Sequence, residues 1–146
     1  MTKNTLYVFV ALCLSACCAD RVCRIDKQLD KLPDQEAFSR FKALDAKDQV
    51  DVYLWELTHS KPVASRYEFL LRENAGAVAE PLLDAANRSD GYLVQASIVR
   101  SLAKLPAGSR SKLARSQLVA AVERCKRLAG DERDEVCTTY GDMLLK

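Results

Sequence analysis

The side chains that could do chemistry here are six thiols, one imidazole, scattered hydroxyls, several close carboxylate pairs and a late run of cations. The single histidine, His59, would need a nucleophile within reach and a third group to orient it before it could act as a base. Ser60 is its sequence neighbour, but adjacent residues on a helix point about 100° apart. His59 instead continues the stripe of Val52 and Trp55, so packing or partial exposure is expected, not catalysis. Cys18 and Cys23 have a spacing that one half of a zinc site could use, whereas Cys125 and Cys137 lack the tight spacing of a second half. There is no Cys-x-x-Cys redox pair, no glycine-rich phosphate loop and no Gly-x-Ser-x-Gly elbow. Carboxylate pairs such as Asp48 with Asp51, and the group Asp131, Glu132, Asp134 and Glu135, fall at predicted helix starts. Exposed there, they would favour the positive end of the helix dipole. The expectation is a protein that is not an enzyme, with no metal, no cofactor and no small-molecule substrate.

The cations are more informative by position than by number. The formal net charge is +2, which argues against a general nucleic-acid binder. Between residues 100 and 127, however, eight basic residues face one acid, Glu123, while residues 26–56 hold eight acids and five bases. Lys112, Arg115, Lys126 and Arg127 fall opposite the apolar face of their predicted helix, and Arg100 and Lys104 opposite that of the helix before. Adjacent outer faces would form a positive patch suited to an anionic partner. The alternative is a solvated face balanced by the acidic N-terminal half.

The N-terminus assigns a compartment. Lys3 is followed by nine apolar residues, Leu6 to Leu14, too short to span a bilayer but matched to a signal-peptide core. The stretch Leu14-Ser15-Ala16-Cys17 that follows resembles the lipobox of bacterial lipoproteins. The resemblance implies that residues 1–16 are removed and that Cys17 receives a diacylglyceryl thioether and an N-acyl chain such as palmitate. Several acyl chains make a stable anchor. Cys18 follows Cys17 where inner-membrane lipoproteins tend to carry Asp. This implies the periplasmic face of the outer membrane, with the bilayer reached through Cys17.

Removing the leader leaves 130 residues, enough for one domain, with 21 basic and 20 acidic side chains. Residues 17–33 lack sustained periodicity and read as a lipidated N-terminus and tether. From residue 34 to 146 the apolar spacing is helical throughout. Asp34 can cap a helix with Phe38, Phe41 and Leu44 inward, and a second helix covers about 47–60. A third begins near Pro62 and closes at Gly76, and Pro81 stands early in a fourth. A fifth spans about 92–105 and a sixth about 109–128. After Gly130, Asp131 can cap a seventh. The predicted class is all-α, a short stack of antiparallel helical hairpins or an irregular helical bundle.

Within this pattern Pro81-Leu82-Leu83-Asp84-Ala85-Ala86, a polar turn, and residues 94–105 resemble one HEAT-type repeat. Gly91 and Tyr92 depart from the family, whose turn often holds an acid. The resemblance implies an α-solenoid-like protein-binding module. Without its leader and lipidated residue the chain keeps Cys18, Cys23, Cys125 and Cys137, which an oxidising envelope allows to pair in three ways. On the helical wheel Cys125 and Cys137 both point inward, at similar distances from the turn at Gly130, so they are the favoured disulfide. Cys18–Cys23 remains as the second. The expected function is a lipid-tethered adaptor with an envelope protein partner, and an acidic one would suit the basic face. The alternatives are an immunity-type inhibitor of an envelope-acting toxin or hydrolase, and a structural component on an anionic wall or lipid surface.

Overall fold

A computed structural model describes residues 20–59, 65–130 and 134–146. The leader 1–16, Cys17, Cys18, Ser60, Pro62 and Asp131 lie outside the described residues. The chain is all-α, as expected. Its helices among the described residues are α1 (Arg21–Leu29), α2 (Asp34–Lys42), α3 (Ala46–His59), α4 (Glu68–Leu71), α5 (Ala75–Arg88), α6 (Tyr92–Ala103), α7 (Ala107–Arg110), α8 (Arg115–Ala129) and α9 (Asp134–Leu145). Helix α1 packs on α3, α3 on α5, α5 on α6, α6 on α8 and α8 on α9. Helix α6 also meets α9 and α3, so it is the most central element.

Helix α1 corrects the expectation of a tether over 17–33. Val22, Ile25 and Leu29 recur at helical spacing, and the Asp20 carboxylate accepts the Val22 amide at 3.1 Å as an N-cap. Cys23 and Leu29 are buried, and Cys23 is disulfide-bonded. One apolar stripe over nine residues is too short a periodic signal to stand out in sequence. Burial against α3 is what makes the helix.

Two further boundaries move. Gly76 lies in the first turn of α5 instead of closing a helix, and Pro81 lies within α5, so the expected third helix shrinks to the single turn α4. The backbone carbonyl of Asn74 accepts the Ala77 and Val78 amides, which starts α5 early. The expected sixth helix splits into α7 and α8. Leu113 and Leu118 are both buried but stand five residues apart, off the helical period. The chain therefore turns at 111–114 to point both inward.

The centre is aromatic and aliphatic. Phe41 stacks on Tyr67 with ring centroids 4.3 Å apart, and Phe38 meets Tyr67 and Phe69 edge-on. The Tyr53 hydroxyl lies 2.9 Å from the Ser101 hydroxyl and donates to the Ser97 carbonyl at 3.2 Å, tying α3 to α6. The Gln95 amide donates to the Ala121 carbonyl at 2.9 Å, tying α6 to α8.

Helices α8 and α9 are joined covalently. Cys125 and Cys137 are fully buried and disulfide-bonded, with Cα atoms 5.7 Å apart. Gly130 ends α8 at a φ of +64°, a conformation that favours glycine. A Cβ on Gly141 would stand 2.5 Å from Val122 Cγ1, so glycine is what lets α9 approach α8 this closely.

Candidate functional site

The six basic residues do not assemble into one patch. Arg100 and Lys104 both turn to Glu68 on α4, at 2.8 and 3.7 Å, and Lys104 also lies 5.9 Å from the Tyr140 ring centroid. Half-buried and shared with one carboxylate, they act as a brace between α4, α6 and α9. Lys126 reaches Glu123 at 3.9 Å. Lys112, Arg115 and Arg127 are exposed and have no ion pair among the described residues. Arg115 and Lys126 share a side of α8 but stand about 16 Å apart along its axis, at 1.5 Å per residue.

Two arginines outside the expected set carry specific contacts. Arg124 donates to the Ser89 carbonyl at 2.6 Å and pairs with Asp90, which locks α8 to the α5–α6 connection. Arg110 Nη1 donates to the Met143 carbonyl at 2.7 Å, linking α7 to α9. A pocket of about 370 Å³ opens beside Arg110, where the α7–α8 turn meets the end of α9. Its walls include Arg110, Arg115 and Lys146 over Leu113, Leu118 and Leu144. Sequence could not show this meeting, because the side chains come from two stretches, 107–118 and 144–146, that only the tertiary fold brings together.

A second polar cluster gathers where α1, α3 and the start of α4 meet. Arg66 Nε donates to Glu56 at 3.2 Å, and its Nη2 pairs with Asp30. Glu56 also accepts the Ser65 hydroxyl and the Arg66 amide. Burial pushes the Glu56 carboxyl above its usual range against the pull of Ser65 and Arg66. Burial and then the neighbouring Asp30 push Asp26 up, with Arg66, His59 and a Trp55 hydrogen bond opposing. The Tyr67 phenol, buried without a hydrogen-bond partner among the described residues and covered by the Arg66 guanidinium 4.8 Å from its ring centroid, is raised to about 12, burial being the first cause. Every oxygen of Glu56 is engaged within the fold, so the cluster fastens the N-terminal helices together.

This arrangement sets a pH dependence. Glu56 and Asp26 hold their protons more tightly in the folded chain than at their ordinary values of 4.5 and 3.8. Their stabilisation is therefore complete below those values and is lost as pH rises through the raised folded ones. Thermal unfolding should give a melting temperature that climbs as pH falls from 7 towards 4.5. Glu56→Gln should flatten that climb, and an unchanged slope in the variant would remove Glu56 as its cause.

Asp48 corrects the expectation of an exposed pair with Asp51. It is buried and pairs with Arg21 from α1, while Asp51 pairs with Lys47 one turn away. Asp45 is the residue that caps α3, accepting the Asp48 amide at 2.7 Å. His59 is exposed and stacks on Trp55 at 3.7 Å between centroids. Its Nδ1 lies 2.9 Å from the Trp55 carbonyl and 2.8 Å from the Thr58 hydroxyl, which itself donates to the Leu54 and Trp55 carbonyls. It thus serves the α3 C-terminus. No group of three metal-ligating side chains is found among the described residues, and no helix among them is long and apolar enough to cross a membrane.

Comparison with protein-family models, curated proteins and solved structures gives no match to this chain.

Proposed function

We propose that this chain is a lipid-anchored protein of the bacterial envelope that works as a non-catalytic interaction module, its central hairpin being HEAT-like. In this reading Cys17 carries the diacylglyceryl and N-acyl groups. The helical domain is then held against the periplasmic face of the outer membrane. The lipobox Leu14-Ser15-Ala16-Cys17 supports the anchor. The HEAT-like reading is supported by α5 packing on α6 across the short connection at 89–91.

The observation that carries the interaction role is the outward surface of α8 and α9. Val119, Val136 and Met143 are 40%, 37% and 43% exposed, and Arg115 and Arg127 stand on the same hairpin without an ion pair among the described residues. Exposed apolar side chains and unpaired arginines on one hairpin are residue types that protein interfaces use. An acidic partner fits the charge.

Crosslinking in the intact envelope, followed by affinity purification and mass spectrometry, tests the role. The wild type is run beside a variant with Lys112→Glu, Arg115→Glu, Lys126→Glu and Arg127→Glu. A stoichiometric partner captured by the wild type and lost in the variant is the expected result. A partner kept by the variant moves the interface elsewhere, and no partner with either form ends the adaptor reading. Metabolic labelling with palmitate tests the anchor separately. The wild type should be labelled and Cys17→Ala should not, and an unlabelled wild type would overturn the anchor.

A further inference from the structure

Helix α1 changes where the domain can stand relative to its anchor. A tether over residues 17–33 would let the domain stand about 50 Å from Cys17. Helix α1 instead begins at Arg21, is capped by the Asp20 carboxylate and packs on α3. The distance from Cys17 to Asp20 is three residues of chain, a reach of at most about 11 Å. The headgroup belt on one side of a bilayer is itself about 5–8 Å deep. A chain acylated at Cys17 therefore carries the start of α1 onto that belt, and the surface around Asp20 is the surface that meets lipid.

That surface holds a groove of about 490 Å³ between the first turn of α1 and α3. Asp20, Arg21 and Val22 line it on one side, so it opens beside the residue where the anchor segment joins. Val22, Leu54 and Trp55 are its apolar part, each partly exposed. A half-exposed tryptophan suits the bilayer–water boundary, where its amphipathic ring settles at headgroup depth. Arg21 pairs with Asp48 and Lys47 with Asp51, yet the two cationic side chains remain 68% and 76% exposed and are open to a further partner. With Asp20, the groove presents three carboxylates and two cations. A purely anionic head would meet the carboxylate excess, whereas a head bearing both a phosphate and an ammonium finds a partner for each.

We infer that this groove rests on the leaflet that holds Cys17 and takes a zwitterionic phospholipid headgroup there. The phosphate lies on Arg21 and Lys47, the ammonium on Asp20 and Asp51, and Trp55 sits at the boundary. The inference rests on the anchor reading and adds to it the face of the domain that the membrane covers. The groove shares no residue with the α8–α9 surface proposed for a protein partner.

Trp55 is the only tryptophan in the sequence, so it reports on the groove with no substitution. The lipidated chain, purified from membranes, is reconstituted in vesicles of phosphatidylcholine and phosphatidylethanolamine, and flotation with the vesicles is read first. Trp55 fluorescence is then followed at a fixed fraction of phosphatidylcholine bearing a nitroxide on its headgroup. The expected result is co-flotation with severalfold quenching. Trp55→Phe with Val119→Trp moves the probe to the outer face of α8, where quenching should be severalfold weaker. If that variant does not fold, the wild-type reading still decides. A chain that floats with Trp55 unquenched overturns the inference and leaves the anchor standing. A chain that does not float overturns the anchor, and the inference with it. Equal quenching from residues 55 and 119 overturns the inference, because the contact would not be specific to the groove. Stronger quenching when phosphatidylglycerol replaces the zwitterionic lipids overturns the choice of headgroup.

Discussion

Replacing Cys125 and Cys137 together with alanine should lower stability by about 3 kcal/mol, read as a shift of the urea midpoint with little change in slope. The two sulfurs close a loop across the α8–α9 turn, twelve residues apart in sequence. In chain-entropy terms a loop of that length restricts the unfolded ensemble by about that amount. Both side chains are fully buried, so alanine adds a small packing loss but no unpaired polar group. For a domain of this size the melting temperature should fall on the order of 10 °C. Because neither sulfur is exposed, thiol reagents should reduce the wild-type bridge slowly under native conditions and readily in denaturant. A double variant as stable as the wild type would mean that packing alone sets the α8–α9 pairing.

Phe41→Ala should have an equal or larger effect, about 3–5 kcal/mol. Phe41 has no exposed surface, and its ring lies nearly parallel to that of Tyr67, 7° between planes. Truncation removes the stacking partner and opens a cavity between α2 and the start of α4. It also strips the cover from a phenol that already lacks a hydrogen-bond partner among the described residues. Phe41→Leu should cost much less, since it nearly conserves volume. Phe69→Ala offers the internal contrast. Phe69 touches Phe38 edge-on but is 47% exposed, and its loss should cost less than about 1 kcal/mol. Chemical denaturation of the three variants measures all of this, and similar costs at positions 41 and 69 would contradict the buried-stack account.

The two effects fall on different helices, the disulfide on α8–α9 and the aromatic stack on α2–α4. Helix α6 joins them through Tyr53 and Gln95 and through the shared pairing of Arg100 and Lys104 with Glu68. The outward faces of α8 and α9, which carry the proposed interface, therefore rest on a hairpin closed by a covalent bond. Exposed apolar residues such as Val136 and Met143 are presented from a rigid base instead of a loop, which limits the entropy lost on docking.

Several features were legible in the chain before any fold was known. The all-α class follows from apolar spacing that keeps the helical period from residue 34 onward. Helices α3 and α6 begin and end within a residue or two of their expected limits. The Cys125–Cys137 bridge follows from two inward positions flanking one glycine turn. All of these are local, set by neighbours three or four residues apart or by a single hairpin.

Other features depend on which distant helices meet. Asp48 is buried because α1 supplies Arg21, and Arg100 and Lys104 leave the expected basic face because α4 brings Glu68 across 32 residues. The pocket around Arg110 exists because a break at 111–114 turns Leu113 inward beside the end of α9. Helical periodicity states which face of each element is apolar. It does not state which cation finds which carboxylate, because ion pairing depends on distances between elements that side-chain packing sets after the helices have formed.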